Sequence, residues 1–331
     1  MNRFFLSLII LVLLTISAEA ANRFAVCSTT CTWDGTSTAM WSTSTGGATG
    51  ASVPGAADAV IFDGATCVGG TTCIITVNTS PNILSLTMGA CTASTTGCVL
   101  DFSANNNSIA MTLFSGTGTG TRTLKMGSGT WSVTGSGTFW TIATSTNLTL
   151  TPGASNLVFQ VNAAAGGTFN TASSLTYGHI TINGNASTGG PFIFTSNAFT
   201  VGTLSISAPN FISIPVSPNS LTITNAINWS GTASQPIRVQ GFCCGFNQGL
   251  MVVANGSTLT YASLYSTNWT GTTTATNSFD NGRNTGAITI NGTFAGGSSG
   301  CILGGWLLWR DFDPANDNLP AVFDEPLKQA L

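Results

Sequence analysis

The sequence predicts an all-β protein, built as a parallel β-helix or β-solenoid with an N-terminal cap and a short C-terminal extension. Three observations predict this class. Across residues 60–290, short runs alternate apolar residues with Thr or Ser. Turn-forming Gly, Asn and Pro residues separate these runs, as in Pro152-Gly153. More than 200 residues pass without a linker, a change of composition or an amphipathic helical pattern.

Alternation with a period of two places apolar side chains on one side of a strand and hydroxyl groups on the other. A single solenoid coil cannot bury its inner side, so neighbouring coils stack and give long series of similar short strands. The predicted strands are 73–78, 83–88, 98–103, 109–114, 122–126, 130–134, 139–143, 147–151, 156–161, 179–183, 204–207, 211–215, 221–224, 258–264 and 287–291. A pair of β-sandwiches, with facing antiparallel sheets, is the alternative architecture.

Fifteen apolar residues of these runs are expected to point inward and to stack between successive coils. They are Ile83, Leu86, Leu100, Leu113, Leu124, Val133, Leu148, Leu150, Val158, Ile182, Leu204, Ile206, Ile212, Leu221 and Ile223. Burying one such side chain stabilises the fold by about 1.5–3 kcal/mol. The solenoid therefore has an expected core made of apolar columns.

Residues 1–20 have the features of an export signal. Arg3 gives a basic start, residues 4–16 are apolar, and Ala18-Glu19-Ala20 is an A-x-A cleavage site. The apolar run is shorter than the span of about 20 residues that crosses a membrane. We therefore expect a secreted protein that is extracellular or attached to the cell surface, with no transmembrane segment in the mature chain.

Residues 21–65 differ from the regular strands and are expected to form the N-terminal cap. They contain Trp33 and Trp41, which together with local cysteine loops would cover the apolar end of the stack. Residues 66–300 are then the solenoid body.

Nine cysteines agree with an oxidising compartment. Six lie in close pairs that suit small local loops, at spacings of four, six and seven: Cys27 with Cys31, Cys67 with Cys73, and Cys91 with Cys98. Cys243, Cys244 and Cys301 remain, and the odd number leaves one of the three unpaired. Because a bond between adjacent cysteines is strained, Cys301 is the expected partner of Cys243 or Cys244.

The last segment, residues 301–331, changes character at Cys301. It contains no Ser or Thr and holds seven of the charged residues of the chain. An apolar patch at 302–303 and 306–309 is expected either to cap the C-terminal end of the solenoid or to support assembly with a partner subunit. Residues 311–331, with three prolines, are expected to extend into solvent.

Several stretches resemble β-solenoid surface proteins. They are Trp41, residues 54–63 (PGAADAVIFD), 76–78 with 83–86, 118–124 with 127–135, 259–264 and 281–286. Over residues 33–290 the chain is similar to bacterial adhesins, to autotransporter-like passengers and to phage appendage proteins. These motifs are turn and packing signatures, so the resemblance implies the fold more than an activity.

The low charge excludes an electrostatic nucleic-acid binder. Only 6% of the residues are charged and the formal net charge is −3, whereas phosphate recognition needs clustered Lys and Arg. Intrinsic disorder is excluded as well, because disordered chains combine low hydrophobicity with high net charge. The chain instead holds 43% hydrophobic residues, and Ser and Thr together number 88.

The central sequence also lacks the carboxylates that a β-helix carbohydrate-active enzyme needs. Between Phe102 and Ile237 the only residues with a formal charge are Arg122 and Lys125, and His179 is the one histidine of the chain. The acidic stretch 311–317 has no central glycine of the EF-hand type. We therefore expect no catalytic residue, no metal site and no cofactor. A polysaccharide lyase or a glycosidase is the alternative.

Ligand binding is expected at four aromatic residues. Phe242 and Phe246 lie in a glycine-containing stretch that interrupts the strand rhythm, and such loops commonly carry binding. Trp229 and Trp269 follow asparagines at strand ends, where an exposed ring would stack on a sugar. The alternative for these two tryptophans is packing at the corners of the coils.

Together these features predict a secreted, non-enzymatic surface protein. It would be an adhesin, a fibre component or a host-contact appendage, with cell-surface glycans or proteins as partners and no nucleic acid. A purely structural assembly subunit that self-associates through residues 301–331 is a further alternative.

Overall fold

The structure, a computed structural model, describes residues 20–292 with gaps, and four strand residues of the C-terminal segment. The gaps are residues 69–71, 90, 92–96, 162–165, 185–190, 196, 208–209, 216, 242–247, 255 and 281–283. The described residues form 29 strands in three long sheets, here called faces 1, 2 and 3, and one short hairpin. This part of the chain contains no helix able to span a membrane.

Face 1 contains twelve strands; apart from the antiparallel β3 at its N-terminal edge, the chain returns to it once in every coil. Its strands are β1 (Asn22–Ala25), β3 (Trp41–Ser42), β4 (Ala59–Phe62), β6 (Ser85–Met88), β9 (Leu113–Gly116), β12 (Gly137–Ile142), β15 (Gly167–Asn170), β17 (Phe192–Phe194), β19 (Phe211–Ser213), β21 (Ile237–Gln240), β24 (Ala262–Tyr265) and β26 (Phe279–Asp280).

Face 2 contains five strands in the N-terminal half, and face 3 contains ten. The strands of face 2 are β2 (Thr30–Trp33), β5 (Cys73–Val77), β7 (Cys98–Asp101), β10 (Arg122–Lys125) and β13 (Leu148–Thr151). The strands of face 3 are β8 (Ile109–Met111), β11 (Thr130–Gly135), β14 (Asn156–Val161), β16 (Thr176–Gly184), β18 (Phe199–Ser207), β20 (Ser220–Ser230), β22 (Gly249–Val253), β23 (Ser257–Thr260), β25 (Thr267–Thr276) and β27 (Thr285–Asn291). A separate antiparallel hairpin joins β28 (Ile302–Leu303) and β29 (Trp306–Leu307).

The strands within the three faces pair in parallel, apart from the antiparallel pair of β1 and β3. A parallel pair requires a crossover connection, and here the other faces supply it. Each predicted strand overlaps a strand of the structure. The parallel β-helix is therefore confirmed, and the antiparallel sandwich alternative is wrong. β1 and β2 lie within residues 21–65, the expected N-terminal cap, yet both pair in parallel with strands of the stack.

Stacked apolar side chains fill the inside of face 1. One inward column passes through six successive coils, all of its members at most 2% exposed: Val60, Leu86, Phe114, Trp140, Phe169 and Phe194. The rings of Phe114 and Trp140 are stacked with centroids 4.0 Å apart. The residue numbers of this column differ by 25 to 29, which is the length of one coil.

Twelve of the fifteen residues expected to point inward are buried, although one of the twelve, Val158, does not point inward. Leu148 and Leu150 are half-buried and pack against the core. Leu113 and Val158 differ from the expectation, because each lies in an outward column of its face. Leu113 pairs with Ser85 beside the inward Phe114, and Val158 pairs with Ser132 and Thr181.

A column of glycines lies beside face 3. Gly127 and Gly153 occupy turns that lead into β11 and β14, whereas Gly178 and Gly202 lie within β16 and β18. A Cβ atom built on Gly202 would be 2.5 Å from the carbonyl oxygen of Gly178. On Gly178 it would be 2.8 Å from that of Gly153, and on Gly153 it would be 2.3 Å from that of Gly127. The coils therefore approach here at distances that only glycine allows.

The connections from face 1 to face 2 carry the disulfides. Cys27–Cys31, Cys67–Cys73 and Cys91–Cys98 form as the spacing predicts, one in each of the first three coils. Cys243, Cys244 and Cys301 lie outside the described residues.

In the fourth coil, Arg122 lies at the position that the disulfide-bonded Cys98 occupies in the third, because the two residues pair in register. Its guanidinium is fully buried and donates to the carbonyl oxygens of Gly120, Thr144 and Thr146 at 3.1, 3.0 and 3.4 Å. Burial lowers its pKa, because desolvation disfavours the charged form. Backbone oxygens therefore replace a disulfide in holding this corner together.

The glycine column predicts that Gly202→Ala destabilises the fold. The added methyl group meets a backbone oxygen, so the coils must separate, and we expect a loss of about 1–3 kcal/mol in the free energy of unfolding. Gly35→Ala is the matched control, since its methyl group would meet only Thr79 Oγ1 at 3.6 Å. Its expected change is within about 1 kcal/mol. Denaturant unfolding of the oxidised proteins measures both, and equal stabilities would contradict close coil stacking at Gly202.

Candidate functional site

The outward side of five consecutive strands of face 3 forms a continuous polar surface, here called the polar face. Inward residues such as Trp131, Phe159 and Ile182 are buried in these strands, so the alternate residues point outward. Parallel register aligns the outward residues in three columns. The columns are Thr130, Asn156, His179, Thr203 and Ala226; Ser132, Val158, Thr181, Ser205 and Asn228; and Thr134, Gln160, Asn183, Ser207 and Ser230.

Hydrogen bonds between neighbouring coils hold this surface in place. Thr181 Oγ1 donates to Asn156 Oδ1 at 2.9 Å. Ser207 and Ser230 donate from their hydroxyl groups to the carbonyl oxygens of the preceding coil, at 3.3 and 3.4 Å. The end residues Thr134 and Ser230 are exposed, and the other members are mostly half-buried. The polar face is thus an ordered array mostly of hydroxyl and amide groups, interrupted by His179, Val158 and Ala226.

His179 is the one titratable side chain of the polar face. Its Nε2 atom lies 2.7 Å from Ser205 Oγ and 3.4 Å from Thr181 Oγ1. Burial lowers the pKa of His179, because desolvation disfavours the imidazolium form. Residues 130–230, which carry the polar face, contain no Asp or Glu.

The carboxylates of the N-terminal coils stabilise local structure. Asp101 bonds to Lys125 Nζ at 3.0 Å across two coils of face 2. Burial raises the pKa of Asp101, but hydrogen bonds from Ser103 and Lys125 outweigh it and the net shift is downward. Asp58 accepts a bond from the Gly55 amide at 2.9 Å, and Asp63 accepts one from the Ala65 amide at 2.9 Å. These two aspartates cap turns.

No cluster of three or more His, Cys, Asp or Glu side chains within the described ranges is arranged to hold a metal ion.

The structure describes two of the four predicted ligand-binding residues, Trp229 and Trp269. Trp229 and Trp269 are 8% and 1% exposed, so the expectation of open rings for sugar stacking is wrong for both. Their ring centroids lie 6.3 Å apart in an edge-to-face arrangement, and Trp269 Nε1 donates to Thr267 Oγ1 at 2.8 Å. They pack inside the solenoid because each occupies an inward register position. Phe242 and Phe246 lie outside the described residues.

The polar face was not predicted as a site from the sequence. The sequence feature that could have indicated this surface is the repetition of Thr, Ser and Asn at alternate positions of the strands. That pattern shows which residues of one strand share a side, but it gives no register between strands 23 or more residues apart. Only the pairing of whole coils places these residues in columns.

Comparison with known proteins returns no match: no protein-family model matches the chain, and neither a curated protein nor a solved structure is similar to it.

His179 predicts a pH dependence of stability. Its pKa is lower in the folded protein than the 6.5 of the free side chain, so the unfolded chain binds the proton more readily. Stability therefore rises with pH through the window below 6.5, and acidification from pH 7.5 to 5 should lower the Tm. His179→Gln should remove this part of the dependence, as thermal unfolding at several pH values would show. An unchanged profile in H179Q would contradict the assignment, because the chain has no other histidine.

Proposed function

We propose that this protein is a secreted, non-enzymatic β-solenoid that contacts cell-surface glycans or proteins, as an adhesin, a fibre component or a host-contact appendage. The observation that carries the proposal is the polar face. It offers aligned hydroxyl and amide groups over five coils, without a formal charge on any member at neutral pH. Such groups donate and accept hydrogen bonds, which is the chemistry that recognises sugar hydroxyls.

The lack of charge favours neutral partners over acidic ones. Anionic ligands such as phosphates are bound through clustered Arg and Lys, and residues 126–237 hold neither. Three disulfides fit an oxidising environment. This environment supports secretion to the cell exterior, where surface glycans are available.

The burial of Trp229 and Trp269 changes how binding is expected to work. Their rings face the core and each other, so they supply the scaffold rather than a stacking platform for sugars. The proposed contacts are therefore hydrogen bonds from Thr, Ser and Asn side chains. Individually these bonds are weak, about 0.5–1.5 kcal/mol each, so a ligand that spans several coils is favoured over a single sugar.

The proposed experiment compares two charge-bearing variants of the mature protein on a glycan array. Thr134→Glu with Ser230→Glu places carboxylates at two ends of the polar face. Thr32→Glu with Thr151→Glu places them at exposed positions of one outward column on face 2. We expect the first variant to lose at least about tenfold in affinity for neutral glycans, which corresponds to about 1.4 kcal/mol, and the second to bind as the unchanged protein does.

Both variants change exposed side chains, so both should remain folded, although the first loses the hydrogen bond from Ser230 to the preceding coil. Thermal unfolding of both variants checks this. Absence of glycan and cell-surface binding by the unchanged protein would contradict the proposal. Equal losses in the two variants would show that the polar face is not the contact surface.

A further inference from the structure

The two ends of the solenoid differ in how their apolar cores are closed. At the N-terminal end, Trp33, Met40 and Trp41 are at most 2% exposed. The two tryptophan rings meet edge to face with centroids 5.1 Å apart, and Ala51 and Val53 pack against the same core. The N-terminal segment thus seals its own end.

The C-terminal end is open in the described part of the chain. The last strand of face 3 there is β27, which pairs with β25 on one side. Ile288 and Ile290 of β27 align with Thr273 and Ala275, which are 3% and 0% exposed. Ile288 and Ile290 pack against the same core but are only half-buried. The core therefore ends at two apolar side chains, Ile288 and Ile290, that no described residue covers.

The sequence that follows has the composition and the reach to cover this end. It supplies Ile302, Leu303, Trp306, Leu307, Leu308 and Trp309 within eight residues. The ten residues between Asn291 and Ile302 can extend to about 33 Å, which is long enough to lead back across a coil. β28 and β29 pair with each other in antiparallel register, so neither extends face 3 as a further parallel strand.

We propose that the apolar segment 302–309 folds over the C-terminal end of the solenoid and covers Ile288 and Ile290. An open core end exposes apolar surface and unpaired strand edges, both of which promote aggregation. A second copy is the less suitable occupant. Head-to-tail stacking would bring the open end against an N-terminal end that is already sealed by Trp33 and Trp41.

The first test uses the full-length chain with Trp306→Ser and Trp309→Ser. The matched control is Asp313→Ser with Asp317→Ser, which changes two nearby residues outside the apolar segment. Hydrogen exchange followed by mass spectrometry reports on the amides of β27 and, for reference, of β14. We expect exchange in β27 to become at least about tenfold faster in the tryptophan variant and to stay unchanged in the control, with β14 protected in both.

The second test removes residues 301–331. The shortened chain should self-associate in size-exclusion chromatography with light scattering, and addition of a peptide of residues 301–331 should restore the monomer. Ile288→Thr with Ile290→Thr in the shortened chain should also restore the monomer, because it removes the exposed apolar pair.

Two results would overturn the proposal. One is a shortened chain that stays monomeric with the original Tm and unchanged exchange in β27. The other is a full-length oligomer that becomes monomeric on shortening, which would make 301–331 an assembly segment instead.

Discussion

Neighbouring coils of this solenoid lie one strand spacing apart, about 4.8 Å, so each residue contacts the residue at the same position of the next coil. This contact repeats from coil to coil and determines which residue types each column can hold. Apolar residues stack on apolar residues inside face 1, from Val60 to Phe194. Where the backbone of one coil touches that of the next, from Gly127 to Gly202, only glycine fits. Packing, rather than local propensity, therefore fixes the residue type at these positions.

The same contact creates the candidate site. Outward residues of successive coils stand at one strand spacing, close enough for hydrogen bonds such as that from Ser207 Oγ to Asn183 Oδ1 at 3.4 Å. One corner of the stack is held together in two ways: by three disulfides in the first coils and by Arg122 bonded to carbonyl oxygens in the fourth. The solenoid ends are the places where a coil lacks a neighbour, so they need covering segments.

Local sequence patterns predict the strands, the parallel β-helix and the three close disulfides, since each depends on residues near one another in the chain. Strands such as β15, β17 and β25 were not predicted, because they are very short or carry few apolar residues among Thr and Gly. Leu113, Val158, Trp229 and Trp269 were assigned to the wrong side for a different reason. Their orientation depends on strand register and on bulges such as that between Val201 and Thr203, which alternation within one run does not encode.

The distance between Thr134 and Ser230 tests the stacking of coils most directly. These exposed residues are separated by 96 positions in the sequence but share one column, four strand spacings apart on face 3. Spin labels attached through ketone-bearing unnatural residues at both positions would leave the cysteines untouched, and pulsed electron resonance would measure the distance. In-register stacking predicts one narrow distribution, with a backbone separation of about 19 Å. A distribution centred beyond about 30 Å, which exceeds six strand spacings, would contradict it.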